Sequence, residues 1–202
     1  MEQNLEIEFK NLLKKEEFDR VAKEFSLGPE KFRRQVNHYF DTPSFSLKEQ
    51  GAALRIREKG GSYILTLKQP QYVGLLETDQ KLTAKDAETA IGNGPLPIGV
   101  VAGEVEKMGI EFEELVYFGT LATQRAETNF NNGLIVLDQS SYLDTEDFEL
   151  EYEVLDFHEG LEAFRSLLEK LGIPERKTLS KIHRFYGRKL QLGRTSPQGD
   201  AE

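Results

Sequence analysis

The sequence predicts an α+β, mainly β fold: an eight-stranded antiparallel barrel that closes on itself, with flanking helices. The first observation is an alternation of apolar and polar residues, which is clearest in Leu5–Lys10 and recurs along the chain. The second is a pair of hairpin signals, Gly60-Gly61 and Asn131-Asn132-Gly133. The third is helical periodicity confined to the two ends and one insertion. Many strands joined by hairpins favour a closed barrel.

The bulk composition is that of a globular chain with a sizeable core. The 202 residues suit one domain, and 38% are hydrophobic and 30% charged. The absence of cysteine excludes disulfides, thiolate metal sites and a cysteine nucleophile. A net charge of −9 argues against nonspecific nucleic-acid binding but leaves room for a local basic pocket. No stretch resembles a signal peptide or a membrane span, so a cytoplasmic location without a membrane partner is expected.

In chain order, alternation and turn signals predict eight strands: Leu5–Lys10, Gln35–Asp41, Ala53–Lys59, Tyr63–Lys68, Val73–Leu82, Glu114–Phe130, Leu134–Asp138 and Asp144–Leu155. Helical spacing predicts five helices: Lys14–Ser26, Ala84–Ile91, Ile98–Met108, Gly160–Leu171 and Thr178–Leu190. We therefore expect a single domain over residues 1–190, with a helical insertion at 83–109 and a polar tail at 191–202.

The polar faces of the alternating strands are sorted by charge. Carboxylates dominate the first and last strands, whereas arginine and lysine dominate the two strands joined by Gly60-Gly61. One reading is simply a solvated strand face. However, like charges along one face repel, so such faces are easier to explain if a ligand neutralises them. Divalent cations suit the carboxylates and phosphates suit the basic residues, which predicts a metal–polyphosphate site lining a narrow tunnel.

Several motifs, in order along residues 5 to 187, resemble a known family. Glu6-Ile7-Glu8-Phe9-Lys10 is similar to the ExExK signature of the CYTH domain, also called the triphosphate tunnel metalloenzyme superfamily. The other motifs that resemble this family are Tyr39-Phe40-Asp41-Thr42, Leu54-Arg55-Ile56-Arg57, Leu65-Thr66-Leu67-Lys68, Glu149-Leu150-Glu151-Tyr152-Glu153 and Ser180-Lys181. Within the family, the chain resembles the small proteins of Gram-positive bacteria that are often labelled adenylate cyclase or triphosphatase.

The resemblance implies a triphosphate tunnel and a metal-dependent hydrolase acting on inorganic tripolyphosphate, thiamine triphosphate or a nucleotide, with Mg²⁺ or Mn²⁺ as cofactor. Two alternatives stay open: a class IV-type adenylate cyclase that makes cyclic AMP from ATP, and a sensor that binds polyphosphate or a nucleotide without turnover. The sensor stays open because Leu75 and Thr123 stand where the family often has basic residues. A homodimer is also left open.

The resemblance further implies roles for individual residues. The expected metal ligands are carboxylates: Glu6, Glu8, Asp138, Glu149, Glu151 and Glu153. The expected phosphate-binding residues are basic: Arg55, Arg57, Lys68, Arg125 and Lys181. The residues expected to act in catalysis, by orienting water or by contacting the reacting phosphate or its leaving group, are Glu8, Glu77, Lys10 and Tyr39.

Four of these residues have structural alternatives. Asp138 could belong to a turn or cap, Glu77 could pair with Lys81, Lys10 could form an inner salt bridge, and Tyr39 could simply pack. The three histidines, His38, His158 and His183, lack metal-ligand spacing and are expected to be structural. No group that would read a nucleobase is evident in the sequence.

Overall fold

Eight antiparallel strands close into a barrel in the computed structural model, which describes residues 2–195 of the chain. Around the barrel the strand order is β1-β5-β4-β3-β2-β6-β7-β8, and β8 pairs with β1 to complete the circle. The strands are β1 Glu2–Leu13, β2 Arg33–Asp41, β3 Ala53–Lys59, β4 Ser62–Pro70, β5 Leu75–Leu82, β6 Val116–Phe130, β7 Gly133–Tyr142 and β8 Thr145–Val154. The predicted fold class and the number of strands are confirmed.

Within residues 2–195, six helices flank the barrel: α1 Lys15–Glu24, α2 Ser46–Glu49, α3 Ala84–Ile91, α4 Val100–Lys107, α5 Phe157–Lys170 and α6 Lys181–Thr195. Short 3-10 turns at Pro29–Lys31 and Phe112–Glu114 complete the connections. None of the helices in the described part of the chain combines the length and the apolar character needed to cross a membrane.

The alternation sends apolar side chains outward under the helices and charged side chains inward. Leu54 and Ile56 of β3 are completely buried in the cluster beneath α3 and α4. Leu150 of β8 is buried in a second cluster beneath α1 and α5, and Leu121 of β6 packs against α6. Full burial of one such side chain contributes about 1.5–3 kcal/mol. The hydrophobic core therefore lies between the helices and the outer face of the barrel. Because the core does not occupy the interior of the barrel, the side chains that line the interior can be charged.

Strand β1 changes partner halfway along its length. Residues 2–6 pair with β5, and Ile7–Leu13 pair with β8. The connection that leads into α6 covers the other edge of the second half: Asn11 Oδ1 accepts the backbone N–H of Arg176 at 2.6 Å, and Leu12 N–H donates to Thr178 Oγ1 at 2.9 Å. These bonds anchor the chain just before Lys181, the first residue of α6.

Helix α6 is seated on the barrel by a close contact with a glycine. A Cβ at Gly119 would lie 2.5 Å from Phe185 Cζ, and the φ of Gly119 is +154°, a value that favours glycine. Next to Phe185, the hydroxyl of Tyr186 donates to Asp41 Oδ2 at 3.0 Å. The aromatic face of α6 therefore fixes where its first turn meets the tunnel.

The two hairpin predictions are confirmed. Gly60 and Gly61 have φ values of 58° and 77° between β3 and β4, as a tight turn with positive φ requires. Asn131 has a φ of 48° in the turn that joins β6 to β7.

Several predicted boundaries are wrong. Strand β7 continues past Asp138 to Tyr142, because its polar residues Gln139–Ser141 complete ladders with both β6 and β8. The last helix begins at Lys181 rather than Thr178, and it continues to Thr195. Residues 191–195 of the predicted polar tail continue this helix, and the rest of that tail lies outside the described residues. Helix α2 has no strong periodicity in sequence; it forms because the Asp41 carboxylate accepts the N–H groups of Leu47 and Lys48.

Candidate active site in the tunnel

The inward-facing charged side chains line one cavity of about 620 Å³ inside the barrel. Residues 178–183 line one end of it. Asn4, Gln35, Glu127 and Glu153 line the other end, because they lie near the start or finish of antiparallel strands that meet there. Twelve of the predicted site residues line the cavity: Glu6, Glu8, Lys10, Tyr39, Arg55, Arg57, Lys68, Glu77, Arg125, Glu151, Glu153 and Lys181.

Lys68 of β4 is the centre of one group of charges. Its Nζ contacts the carboxylates of Glu6 and Glu77, the latter at 2.5 Å, and Arg55 Nη2 lies 3.9 Å from Glu77. Burial acts to raise the pKa of Glu77, but Lys68 and Arg55 outweigh it and bring the value down to about 2. Glu77 therefore stays ionised and fixes Lys68 and Arg55. The alternative pairing of Glu77 with Lys81 is wrong.

A second group of charges joins β6, β7, β8 and α6. Arg125 makes a bidentate pair with Asp138, with distances of 2.8 and 2.7 Å, and reaches Glu151 at 2.8 Å. Lys181 Nζ lies 2.9 Å from Asp138, 2.7 Å from Glu149 and 2.6 Å from Glu151. Arg125 and Lys181 thus both hold Asp138 and Glu151, whereas Glu149 is held within this group by Lys181 alone.

Arg57 is the exception among the tunnel cations, because within the described residues it forms no ion pair. Its Nε donates to the neutral Asn37 Oδ1 at 3.3 Å. Burial, followed by repulsion from Arg55 and Arg125, lowers the pKa of Arg57 to about 10. The Nε of neighbouring Arg55 is buried and finds no acceptor among the described residues. Desolvated donors without acceptors are costly, so this corner of the tunnel is suited to an anion.

On the opposite side of the tunnel from Arg55 and Arg57, strands β1 and β8 carry carboxylates whose negative charge is not fully balanced by cations. Glu8 and Glu153 are directly opposed in the ladder between these strands. Burial, together with repulsion from Glu6 and other carboxylates, raises the pKa of Glu153 to about 7. Glu6 also has a raised pKa because it is buried. Repulsion among these groups is the condition that a hard divalent cation relieves, so the donor set fits such an ion.

The carboxylates do not form a ready-made cage. Within residues 2–195, no three acidic or histidine side chains lie close enough together to share one ion. The reason is visible for two of them, since Glu8 contacts Lys10 and Glu6 contacts Lys68. Metal binding would therefore exchange these lysine contacts for metal contacts.

The CYTH domain model matches residues 4–186. The chain belongs to the CYTH domain family. It is 50% identical over 189 residues to "Putative triphosphatase YjbK" of Bacillus subtilis (strain 168), covering 94% of this chain and 98% of that relative.

Two solved structures share the fold of this chain. A protein from Bacillus halodurans, described as a "putative adenylate cyclase", superposes with a TM-score of 0.88 at 40% identity, covering 92% of this chain and 100% of the other. The Hippeastrum protein HpAC1, described as a "putative adenylyl cyclase" with a dominant triphosphatase activity, has a TM-score of 0.75, with 91% and 96% of the two chains covered. At 22% identity, the second likeness supports the fold alone.

Two predicted metal ligands of this CYTH domain lie behind the tunnel wall. Asp138 has no exposed surface and Glu149 is 1% exposed, and neither lines the cavity. Asp138 lies within β7, so the turn or cap alternative is wrong, and its carboxylate is bound by Arg125 and Lys181. Both carboxylates hold the tunnel cations in position in this structure.

For Lys10 and Tyr39, the sequence left open a role in the site and a purely structural role, and the structure is compatible with both. Lys10 lines the cavity and also forms an inner salt bridge with Glu8. Tyr39 lines the cavity while its ring packs 6.4 Å from that of Phe185 on α6. His183, expected to be structural, also lines the tunnel, where Ser180 Oγ lies 2.7 Å from its Nδ1.

Sequence reasoning missed Arg184, which lies one helical turn after Lys181. Its Nη1 lies 2.5 Å from Glu149 Oε2, and its Nε donates to Asp147 Oδ2 at 2.8 Å. Lys181 and Arg184 thus hold the same carboxylate from one face of α6. Arg184 could have been predicted from the sequence, because residues three apart on a helix, such as Lys181 and Arg184, lie on the same face.

Proposed function

We propose that this CYTH domain is a metal-dependent triphosphatase that hydrolyses a phosphoanhydride bond of a triphosphate held in the tunnel. The observation that carries the proposal is that, within residues 2–195, Arg57 forms no ion pair and the buried Nε of Arg55 finds no acceptor. These donors point to an anion, and the carboxylates of β1 and β8 on the same cavity point to a cation. A triphosphate bound together with a divalent metal supplies both.

The basic residues would divide the phosphate chain among them. Arg55 and Arg57 offer planar guanidinium groups, which suit bidentate contacts to phosphate oxygens. Lys68 and Arg125 lie beside this pair on the cavity wall and add charge, although each is shared with carboxylates. Because the ion pairs hold these side chains in place before binding, little ordering would be needed when the substrate enters.

Mg²⁺ or Mn²⁺ would be held by Glu6, Glu8 and Glu153, with Glu151 next to them, and would neutralise phosphate charge and lower the pKa of a bound water. The attacking water oxygen bonds to the terminal phosphorus while the bond to the bridging oxygen breaks, which releases orthophosphate and diphosphate. A carboxylate of this set that does not bind the metal would accept the proton of that water. Glu77 stays ionised and orients Lys68.

The relatives support this class of reaction. The Bacillus subtilis relative, at 50% identity, is named "Putative triphosphatase YjbK". The Bacillus halodurans relative, at 40% identity, is described as a "putative adenylate cyclase", which makes that activity the second candidate. A cyclase would instead join the ribose 3′-oxygen to the α-phosphorus of ATP and release pyrophosphate, so the products separate the two reactions.

The test is an assay of products from several triphosphates. Pure protein is incubated with Mg²⁺ or Mn²⁺ and tripolyphosphate, ATP or thiamine triphosphate, and phosphate, pyrophosphate and cyclic AMP are measured. We expect orthophosphate release that stops when a chelator is added. The release should also be lost in the Glu8→Gln variant purified in the same way, because a contaminating phosphatase would be present in both preparations. Cyclic AMP with pyrophosphate would support the cyclase. Tight binding without any product would indicate a sensor and overturn the triphosphatase.

A further inference from the structure

A second cavity of about 470 Å³ opens beside the tunnel, at the end where β1 begins. Its origin is the change of partner along β1. Residues 2–6 pair only with β5, and β8 ends at Val154, which pairs with Gly133 at the start of β7. Beyond Val154, no strand of the described residues lies between β1 and the turn of the β6–β7 hairpin. The gap between β1 and the hairpin is the cleft.

The cleft adjoins the tunnel directly. Asn4, Glu6 and Glu153 line both cavities. The two cavities are therefore adjacent, and a molecule held in the tunnel has the cleft beside it.

The chemistry of the cleft differs from that of the tunnel. Among the described residues, its lining contains no lysine or arginine that could bind phosphate. Four asparagines contribute amides: Asn4, Asn129, Asn131 and Asn132. Leu5, which is 51% exposed, and Leu155, which is 93% exposed, add apolar surface. A bare polyphosphate would find no cationic side chain among these residues.

Amide side chains offer a donor and an acceptor side by side, which matches the edge of a nucleobase. Apolar side chains can contact the face of a flat ring. We propose that this cleft binds the base and ribose of a nucleoside triphosphate whose phosphates lie in the tunnel, an inference that rests on the proposed triphosphatase function. The preferred substrate is then a nucleoside triphosphate rather than inorganic tripolyphosphate.

The test compares substrates in a cleft variant. Asn129→Leu with Asn132→Ala removes two amides while the tunnel keeps its residues. The control is Gln124→Leu, which removes an exposed amide from β6 at a position that lines neither cavity. Rates of phosphate release are measured for ATP, GTP, CTP and tripolyphosphate with Mg²⁺, giving kcat and KM for each.

We expect the wild type to prefer at least one nucleotide over tripolyphosphate. In the cleft variant, kcat/KM for that nucleotide should fall about tenfold, mainly through KM, as the loss of two hydrogen bonds predicts. Tripolyphosphate hydrolysis should change less than about twofold, and the control should match the wild type.

An unchanged ratio of nucleotide to tripolyphosphate hydrolysis would overturn the cleft assignment and leave the triphosphatase intact. An equal loss with both substrates would also overturn it, since the cleft would then not read the base. If the wild type neither binds nor hydrolyses any triphosphate, the proposed function fails, and the cleft assignment fails with it.

Discussion

Replacing Arg57 with alanine should weaken the binding of every triphosphate by a similar factor. The guanidinium lies in the tunnel next to Arg55, away from the asparagine cleft, and is the tunnel cation without an ion-pair partner among residues 2–195. Its removal therefore takes a contact from the phosphates and leaves the rest of the charge network in place.

The size of the effect follows from the burial of Arg57. Desolvation, with the help of two neighbouring arginines, lowers its pKa to about 10, so the side chain is still protonated at pH 7.5. A charge-assisted hydrogen bond to such a group contributes about 1.5–3 kcal/mol. We therefore expect the dissociation constant to rise roughly ten- to hundredfold.

The assay is titration calorimetry with tripolyphosphate, ATP and GTP, in a chelator so that no turnover occurs. The matched control is Lys59→Ala, which removes the same charge from the same strand at a side chain that is 51% exposed and 4.0 Å from Glu127. An exposed charge of this kind contributes at most about 1 kcal/mol, so the control should change affinity by less than about fivefold.

Two results would refute this reasoning. A loss confined to nucleotides would show that Arg57 reads the base or ribose rather than the phosphates. Equal losses in the Arg57 and Lys59 variants would show that only the overall charge matters and that no desolvated contact forms.

Three further predictions concern the carboxylates and α6. Glu6→Gln or Glu8→Gln should reduce metal-dependent phosphate release by at least about tenfold. Without metal, the melting temperature should hold or rise, because repulsion among the tunnel carboxylates is relieved. Full activity in either variant would contradict the metal assignment. Because the pKa of Glu153 is raised to about 7, the folded state binds its proton more readily than the unfolded state, so this group makes stability fall as pH rises from about 4.5 to 7. Glu153→Gln should flatten part of that slope in chelator-treated protein, and an unchanged slope would show that the carboxyl is not perturbed. Arg184→Ala should lower kcat/KM about tenfold, because it releases Glu149 and displaces Lys181, and Arg184→Lys should restore part of the activity. The control Arg188→Ala breaks only the exposed pair with Asp144 and should leave kcat/KM unchanged. Equal losses in the two variants would mean that they act by destabilising α6 and not by moving Lys181.

The sequence by itself determined the barrel, its strand count and the inward charge of its strands. These properties are local: alternation with period two places Arg55 and Arg57 on one face and Leu54 and Ile56 on the other, whichever strand lies alongside. The turn at Gly60-Gly61 is equally local, because positive φ values at two successive positions favour glycine.

Only the tertiary structure decided which charges are paired and which are free. Asp138 and Arg125 are 13 residues apart, and Lys181 reaches Glu149 from a helix that follows it by 32 residues. Such pairings depend on strand register and on how α6 is seated by Gly119, neither of which a local pattern contains. The cleft also depends on tertiary structure, because it lies where β1 extends beyond the end of β8. Strand alternation predicts which side chains face inward, but whether a buried charge is paired depends on distant parts of the chain, because electrostatic energy depends on distance in space.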